Sequence, residues 1–478
     1  MQFVQYYLEC LSQASYLIGD ETTSRAAVVD PRRDVQEYLA DAAAAGLRIE
    51  YVIETHLHAD FLSGHLELAQ ATGAAIIYGQ GAEIRFPHRT VADGERVELG
   101  RVVLEFRETP GHTPESISVV VWDTPEASSP YGVLTGDALF IGDVGRPDLL
   151  ASRGQSPEAM ARQLYESLHA RLLSLPDSTR VYPAHGAGSA CGKNLSTQTS
   201  STIGEQRRTN YALRLGSVDE FILAVTEGQP PRPDYFAYVA ELNREPHPLL
   251  HDQQPSALSL EEVLKHQSSG AVILDVRTPE AFARGHLRGS LNVGLEGRFA
   301  EYAGQVIGPG ADLITVGGSA LAGEARIRLS RVGLDSVLGV LEQPALALAE
   351  RPDLAQMASR VSSHQLTAAL REVPGLTVLD VRGAAERAQG HIGGSIHMPL
   401  VQLRCRMSEL DPARPLVAYC AAGYRSSIAA SLLRSQGFTD VSDLIGGYQA
   451  WAASPMSRSG WPGPARRRRC CRGPGGRP

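Results

Sequence analysis

The chain has 478 residues, of which 43% are hydrophobic, and a formal net charge of −8. This length predicts two to four domains, and the acidic balance does not favour nucleic-acid binding. No apolar run reaches the length of a membrane span, and no secretory signal is visible at the N-terminus. The spacing of the six cysteines suggests neither a disulfide framework nor a zinc knuckle, so we expect a reducing cytoplasm.

Short β-rich runs alternate with helical stretches in the first half of the chain. Residues 26–30, 102–106 and 118–122 have the composition of strands, whereas residues 34–47 and 156–173 have helical patterns. This alternation favours two sheets packed face to face, with helices outside and functional residues in loops at one edge.

The segment Thr55-His-Leu-His-Ala-Asp-Phe61 follows an apolar run and clusters His56, His58 and Asp60. Imidazole nitrogen and carboxylate oxygen are the ligands that suit iron and zinc. A pattern that holds two metal ions normally has a histidine where Phe61 stands, and a phenyl ring cannot ligate. The segment therefore favours a site for one metal ion.

Three further segments supply residues of the same kind. Residues 109–113 place His112 in a Pro-Gly turn, and the short apolar strand 133–137 ends in Asp137. A later strand, residues 180–183, is followed by His185. A lone histidine is most often structural, but four such segments in this order predict a metal site.

The second half of the chain contains a repeat. After Pro-rich connectors between residues 230 and 255, Val272–Arg277 recurs as Val378–Arg382, and Gly285–Ser290 recurs as Gly390–Ser395 at the same offset. Apolar strands alternate with helical stretches in both copies. This pattern predicts two α/β modules of about a hundred residues, each with a parallel sheet.

The second copy carries a candidate nucleophile. Cys420 follows the buried strand 416–419, and the residues after Ser426 look helical, so the thiol faces a helix N-terminus. Such a position lowers the pKa of a thiol and stabilises anions. Gly423 lets the loop turn, and Arg425 adds positive charge.

The motifs THxHxD, PGHT, GD and PAHG over about residues 1–245 resemble the metallo-β-lactamase superfamily, and within it the persulfide dioxygenases. The resemblance implies an αββα sandwich. It also implies one Fe(II) per chain, held by His56, His112 and Asp137, the facial triad of non-heme iron oxygenases.

The same resemblance makes His58, Asp60 and His185 groups that orient the ligands or serve an auxiliary metal. It suggests two substrate-binding residues, Arg146 and Cys191. Arg146 has a fork suited to the carboxylate or phosphate of a thiol substrate. Cys191 would lie near the iron and carry a persulfide.

Both substrate-binding residues have a structural alternative. Arg146 also suits an ion pair with Asp143 or Asp148, and Cys191 also suits a small packed residue.

The DVR strand, the GHI-GS segment, the CxxGxRS loop and Gly446–Trp451 resemble the rhodanese family. The resemblance makes residues 362–455 a competent rhodanese domain, in which Cys420 carries a sulfane sulfur and Arg425 helps bind anions. Residues 257–349 have Ser319 in the corresponding segment but no cysteine. We therefore expect that copy to be a structural or docking domain that is inactive in sulfur transfer.

The C-terminal residues 456–478 combine an arginine run with Pro, Gly and two cysteines. This composition predicts a disordered basic tail, to which we assign no catalytic role.

The layout predicts a bifunctional enzyme of sulfide detoxification, with no nucleic-acid or membrane partner. The iron domain would oxidise a thiol persulfide, of glutathione, coenzyme A or a similar carrier, with O2 to thiol and sulfite. Cys420 would combine sulfane sulfur with sulfite to give thiosulfate. Superfamily relatives often form homo-oligomers, and we expect one here.

Two alternatives stay open at this stage. One is a dinuclear zinc thioester hydrolase resembling glyoxalase II, which would need His58 as a ligand and an imidazole at position 61. The other is a persulfide sensor or sulfur carrier with a structural metal. Metal content separates the first alternative from the dioxygenase, and O2 uptake separates the second.

Overall fold

A computed structural model of the protein describes residues 1–149, 154–251 and 253–454. The tail predicted at residues 456–478 lies outside the described residues. The described chain forms two compact units. Residues 1–278 and 293–344 make the first, and residues 279–292 with those from 345 onward make the second.

Two six-stranded sheets dominate the first unit. The first sheet has the order β1-β2-β3-β4-β5-β6, and the second has the order β12-β11-β10-β9-β8-β7. The strands of the first sheet are β1 Gln2–Leu8, β2 Gln13–Asp20, β3 Arg25–Val29, β4 Arg48–Ile53, β5 Ala75–Gly79 and β6 Arg89–Val91. Those of the second are β7 Arg96–Glu98, β8 Val103–Glu108, β9 Ile117–Trp122, β10 Gly132–Gly136, β11 Arg180–Pro183 and β12 Ser201–Thr202.

Helices flank these sheets and several begin at a side-chain cap. Ser156 accepts a hydrogen bond from Ala159 N, and Pro157 occupies the first helical position, where its missing N–H costs nothing. The helices are α1 Gln36–Ala44, α2 His65–Thr72, α3 Pro157–Ser167, α4 Ile203–Thr209, α5 Val218–Thr226 and α6 Tyr235–Leu242. A π-helical segment, Leu168–Leu172, continues α3.

The first unit has three apolar interfaces, which define four layers. Side chains such as Ile18 and Phe106 form one core between the two sheets. Tyr38 of α1 packs on the outer face of the first sheet, and Leu164 of α3 packs on that of the second. The predicted αββα sandwich is confirmed.

Parallel pairing places the functional residues at one edge of each sheet. Strands β3 and β4 run parallel, with Val29 opposite Ile53, and β10 and β11 run parallel, with Gly136 opposite Pro183. Their carboxyl ends therefore lie side by side, so the loops that follow them carry their side chains to the same edge.

The first rhodanese-like copy contributes three parallel strands to the first unit, in the order β13-β16-β17. Its elements in that unit are α7 Leu260–Ser268, β13 Val272–Asp275, α9 Phe299–Val306, β16 Leu313–Val316, α10 Ser319–Ser330 and β17 Val337–Leu341. Ser259 and Glu262 form a capping box that begins α7.

The second unit is built on a five-stranded parallel sheet with the order β19-β23-β22-β20-β21. A short antiparallel pair, β14 and β18, accompanies it. The first elements are α8 Pro279–Arg284, β14 His286–Leu287, β15 Leu291–Asn292, α11 Pro344–Glu350, β18 Ala355–Gln356, β19 Ser359–Val361, α12 Ser363–Glu372 and β20 Thr377–Asp380. The later ones are α13 Ala384–Ala388, β21 Ile396–His397, α14 Leu400–Arg406, β22 Leu416–Tyr419, α15 Tyr424–Ser435, β23 Val441–Leu444 and α16 Gly447–Ala453.

The predicted elements agree with this architecture, although their ends differ. The helix expected at 34–47 is observed as Gln36–Ala44. The helix expected at 156–173 divides into α3 and its π-helical continuation. Within the described ranges, no helix combines the length and the apolar character needed to span a membrane.

Candidate metal centre and sulfur-transfer loop

Three predicted ligands converge at the edge of the sandwich. The Nε2 atom of His112 lies 3.3 Å from Oδ2 of Asp137, and Nε2 of His56 lies 3.9 Å from the same oxygen. The two imidazole rings are 5.1 Å apart and perpendicular. All three residues are at most 2% exposed. They form a compact group whose ligand atoms lie within 4.8 Å of one another.

Hydrogen bonds on the far side of each imidazole fix which nitrogen faces the group. The Thr55 hydroxyl donates to Oδ2 of Asp30 and therefore accepts from Nδ1 of His56, 3.0 Å away. Nδ1 of His112 donates to the carbonyl of Arg146 at 2.9 Å. Both Nε2 atoms are left for a metal, because a metal-binding histidine usually donates its other ring N–H to a neighbouring oxygen.

The group has the properties of a metal site. Both carboxylate oxygens of Asp137 are buried and have no hydrogen-bond partner among the described residues, which is costly unless a cation binds them. Burial lowers the pKa of both His56 and His112, so their imidazoles are neutral and able to ligate. Two imidazoles and one carboxylate therefore fit a divalent transition metal.

His58 is held by two carboxylates. Its Nε2 lies 3.1 Å from Asp30 and 3.2 Å from Glu54, and all three side chains are buried. Burial opposes protonation of His58, but Asp30 and Glu54 outweigh it and raise the pKa of this imidazole well above its ordinary value. The pairing fixes the His58 ring beside the first group.

Asp60 and His185 complete a second, overlapping group of potential ligands with His58. Nε2 of His185 lies 3.3 Å from Asp60 and 3.6 Å from Asp137, while its Nδ1 donates to Ser12 O at 3.2 Å. Phe61 is fully buried, with its ring 4.3 Å from that of His58. Position 61 therefore supplies packing and no ligand to this group.

Cys191 lies at the same place. It is 1% exposed and groups with Asp137 and His185 as potential ligands. Burial, followed by the charges of Asp60 and Asp137, raises the pKa of the Cys191 thiol well above its ordinary value. The expected proximity to the metal group is present, and a role in substrate binding stays a prediction.

Arg146 makes the structural pair that the sequence left open. Its Nε and Nη2 donate to the two oxygens of Asp148 at 2.7 and 2.8 Å, and Nη1 donates to Ala190 O at 3.0 Å. The residue is 1% exposed. Its fork is already occupied, and binding of a substrate anion by Arg146 stays a prediction.

Gly145 lets two parts of the metal group approach each other. A Cβ atom at this position would lie 1.9 Å from the carbonyl oxygen of Asp137 and 3.1 Å from Nδ1 of His112. Contacts this short do not occur between real side chains and backbone, so the group requires glycine here.

Three supporting residues were missed by the sequence analysis. Asp30 and Glu54 hold His58, and Asn243 donates to the carbonyls of His58 and Phe61 at 2.8 and 2.9 Å. Asp30 had a usable signal, because it ends the apolar run of residues 26–29, which the sequence predicts as a strand. Asn243 had none, since it comes to the metal loop from a helix end far along the chain.

Cys420 is a buried residue at the start of the loop that ends where α15 begins. Gly423 N donates to the Cys420 sulfur at 3.1 Å, and the Ser426 hydroxyl lies 3.6 Å from it. Gly423 has φ +107°, which a side chain rarely adopts. The loop thus directs an N–H and the positive end of a helix toward the thiol.

The glycine-rich segment at the start of α16 closes this loop. Tyr448 N donates to Cys420 O at 2.7 Å, and Gln449 N donates to Ala421 O at 3.0 Å. A Cβ atom on Gly447 would lie 2.4 Å from Cys420 O. Glycine is needed at position 447 because the two main chains touch there.

Arg425 is paired with a residue that the sequence analysis did not identify. Its guanidinium donates to both oxygens of Glu386, at 2.7 and 2.6 Å. Burial opposes ionisation of Glu386, but the hydrogen bonds and charge of Arg425 outweigh it and lower the pKa of this carboxyl. Glu386 had no signal in the chain, because nothing local distinguishes it from a solvated glutamate on the short helix after the DVR strand.

Each of the two copies has its own strand that carries the DVR motif. Arg277 pairs with Asp275 as Arg382 pairs with Asp380. The loop after β16 is Gly317-Gly-Ser319, without a cysteine. The first copy therefore has the framework but lacks a sulfur nucleophile at the corresponding position.

Family models match both halves of the chain. The metallo-beta-lactamase superfamily model covers residues 8–185, and the rhodanese-like domain model covers residues 259–341 and 362–454. A crystal structure of a metallo-beta-lactamase from Staphylococcus aureus subsp. aureus COL has 32% sequence identity and a TM-score of 0.65. It aligns with 71% of this chain and 98% of that one.

Two curated relatives cover the N-terminal half. The cytoplasmic hydroxyacylglutathione hydrolase of Arabidopsis thaliana is 34% identical over 183 residues, which is 38% of this chain and 66% of that protein. The mitochondrial persulfide dioxygenase ETHE1 of Bos taurus is 30% identical over 233 residues, which is 48% of this chain and 82% of that protein. This chain is therefore an enzyme of the persulfide dioxygenase family, within the metallo-beta-lactamase superfamily, that also carries two rhodanese-like domains.

Proposed function

We propose that the N-terminal domain binds one Fe(II) and oxidises a low-molecular-weight thiol persulfide with O2. The balanced reaction converts the persulfide RSSH, O2 and H2O into the thiol RSH, sulfite and two protons. The terminal sulfur is oxidised and O2 is reduced. The reaction would serve hydrogen sulfide metabolism, because persulfides are the form in which sulfide sulfur is carried by thiols.

The observation that carries this proposal is the buried group of His56, His112 and Asp137. Two imidazoles and one carboxylate match the facial ligand set of non-heme Fe(II) oxygenases, which leaves coordination positions open. Iron(II) bound there would supply electrons for O2 chemistry and a binding position for the substrate sulfur.

The remaining residues have supporting roles in this proposal. His58, Asp60 and His185 orient the ligands and any bound water through their own hydrogen bonds. Cys191, buried beside Asp137, is assigned to contact the persulfide sulfur. Arg146 is assigned to bind the carrier's anion, which it could do only by giving up part of its pairing with Asp148.

The second rhodanese-like domain would use the sulfite. Cys420 would take the outer sulfur of a thiol persulfide RSSH, releasing the thiol RSH, and would carry that sulfur as its own persulfide. Sulfite would then attack this outer sulfur to give thiosulfate and the Cys420 thiolate. The Gly423 N–H and the start of α15 stabilise that thiolate as the S–S bond breaks. Arg425 is assigned to attract the anionic acceptor.

We infer the partners and location from the same chemistry. The carrier would be glutathione, coenzyme A or a similar thiol, and neither nucleic acid nor membrane takes part. A reducing cytoplasm would keep Cys420 as a free thiol. We also propose a homo-oligomer, in which each chain carries its own metal group.

The test is O2 consumption by anaerobically purified, Fe(II)-loaded protein after addition of glutathione persulfide or coenzyme A persulfide. Sulfite and thiosulfate are quantified in the same samples. O2 uptake matched by these products supports the dioxygenase, and comparison of the two substrates identifies the preferred carrier. An iron-replete protein that consumes no O2 with either substrate contradicts the proposal.

A second candidate function is a dinuclear zinc thioester hydrolase. It is favoured by one observation, the overlapping donor group of His58, Asp60 and His185, which lies beside the first group. Phe61 argues against it, because that group lacks the imidazole expected at position 61. Metal analysis together with hydrolysis of S-lactoylglutathione decides between the two, since two zinc ions per chain and thioester cleavage would support the hydrolase.

A further inference from the structure

The first rhodanese-like copy touches the metal-binding domain through the turn that follows α10. The main-chain N–H of Leu62 donates to Arg331 O at 2.7 Å. The Arg331 side chain reaches back, with Nε and Nη2 donating to the two oxygens of Asp34 at 2.8 and 2.7 Å. Arg331 is only 9% exposed. One residue of the cysteine-free copy is therefore bonded to two loops of the other domain.

A second arginine, which belongs to the metal-binding domain, links the same two domains. Arg33 is 1% exposed, and its Nε donates to Glu67 at 2.8 Å. Its Nη1 donates to both oxygens of Asp335, at 2.6 and 2.8 Å. Glu67 belongs to the metal-binding domain and Asp335 to the cysteine-free copy. Because this guanidinium is buried, removal of Glu67 or Asp335 would leave its charge without one of its two partners. Either change would therefore weaken the contact between the domains.

The loops that receive these contacts support the metal group. Residues 30–34 begin with Asp30, which accepts from Thr55 and pairs with His58. Leu62 is two residues after Asp60. Gly64 N donates to Pro31 O at 2.8 Å, so the two loops are bonded to each other.

The approach of these loops depends on glycine as well. A Cβ atom on Gly64 would lie 2.2 Å from Arg32 O, which leaves no room for a side chain. The loops therefore form one connected support behind His56 and His58. Arg331 and Asp335 contact it from the outside.

We propose that Arg331 and Asp335 are positioning residues of the metal centre, and that the cysteine-free copy is retained as the outer support of the metal loop. The copy needs no nucleophile for this task. Its contribution is to fix Asp30, Thr55 and the loop of residues 56–62, which together orient two of the histidines. The identity of the metal rests on the proposed function, whereas the positioning does not.

The test compares Arg331→Met with Arg331→Lys and with a matched control, Arg326→Met, in the full-length protein. Arg326 lies on α10, five residues before Arg331, and it donates to the carbonyls of His251 and Gln253 rather than to residues 30–34 or 56–62. Metal affinity is measured by competition with a chelator. The electron paramagnetic resonance spectrum of the Fe(II)–nitric oxide adduct reports the ligand geometry, and kcat and KM are measured by O2 uptake.

We expect Arg331→Met to reduce metal affinity or kcat about 10- to 100-fold, with a smaller change in KM and an altered spectrum. Arg331→Lys should recover part of the loss, and Arg326→Met should match the wild type. Sulfur transfer at Cys420 should be unchanged in all three. If Arg331→Met fails to fold, the same measurements are made on Asp335→Asn, which keeps the shape of the side chain.

The proposal would be overturned if Arg331→Met had the metal affinity and spectrum of the wild type and only a lower unfolding temperature. Arg331 would then only stabilise the contact between the two domains. Failure of the proposed function appears differently. In that case the wild type itself consumes no O2 with persulfides, while the chelator competition, repeated with zinc, still distinguishes Arg331→Met from Arg326→Met.

Discussion

His112 Nε2 lies 3.3 Å from Asp137 Oδ2, with the opposite ring nitrogen of His112 bonded to the carbonyl of Arg146. The imidazole is thus held by the chain segment that follows Asp137. Ligand and support come from the same loop, so a change in either displaces both.

Replacing His112 with alanine should remove bound iron and O2 uptake, because only one imidazole and one carboxylate of the group remain. Sulfur transfer from thiosulfate at Cys420 should be kept. Iron per chain and both activities are measured, with His364→Ala as the control, since His364 is exposed on α12. If transfer vanished in a correctly folded His112→Ala protein, the two sites would not be independent.

Thr55→Val tests the support of His56. Valine keeps the shape but removes the hydroxyl that links Asp30 to His56, and an unpaired buried carboxylate oxygen remains. We expect iron affinity or kcat to fall about 10- to 100-fold. Thr90→Val, at an exposed strand position, serves as the control. Unchanged iron affinity and kcat in Thr55→Val would show that the hydroxyl does not set the ring orientation.

Gly145→Ala should damage the metal centre without adding any polar group. The new Cβ would collide with Asp137 O, so the main chain that carries Asp137 must shift. We expect lower iron content and lower O2 uptake. Gly318→Ala is a suitable control, because no atom lies within 4 Å of a Cβ built there. Equal iron content in the two variants would mean that the loop adapts freely.

Cys420→Ser should abolish thiosulfate formation, because a hydroxyl cannot carry sulfane sulfur, while O2 uptake continues and sulfite accumulates. Product analysis after addition of glutathione persulfide measures both. Cys405→Ser, at an exposed cysteine of the same unit, should behave as the wild type. Simultaneous loss of O2 uptake would contradict a separate sulfur-transfer site.

The Arg425–Glu386 pair predicts a pH dependence of stability. The pKa of Glu386 is lowered from 4.5 in the folded protein, so its stabilisation is present above that value and is lost as the pH falls through the folded value. Glu386→Gln should therefore be less stable than wild type at pH 7, by less than about 1 kcal/mol because the pair is partly exposed. The difference should disappear in acid.

Unfolding midpoints of wild type and Glu386→Gln, measured at pH 7 and at a series of decreasing pH values below 4.5, test this. Glu372→Gln, at an exposed position on α12, controls for removal of one charge. A difference between wild type and Glu386→Gln that does not change with pH would exclude ionisation of Glu386 as its source.

The order of strands and helices, the convergence of His56, His112 and Asp137, and the cysteine loop could be predicted because each depends on local signals. Apolar runs end in Asp, His or Cys, and Gly or Pro marks the turns. Asp137 is an example, since a short buried strand ending in Gly-Asp already places the carboxylate at a sheet edge.

The supporting residues could not be predicted in the same way. Asn243 bonds to the backbone of residues 58 and 61, and Glu386 pairs with Arg425, across long stretches of chain. Nothing local distinguishes such an Asn or Glu from a solvated one. Arg146 is the opposite case. Its partner Asp148 is only two residues away in the sequence, but only the structure shows that the two side chains form an ion pair.

The bonds from Asn243 to the metal loop also bear on the biosynthesis of the protein. His56, His112 and Asp137 are all present once the first third of the chain has been made, yet the side chain that holds the carbonyls of His58 and Phe61 is added much later. A nascent chain that ends before residue 243 thus has the three predicted ligands but lacks the side chain that holds the loop after His56. We therefore expect the metal group to reach its final geometry only after the N-terminal half is complete.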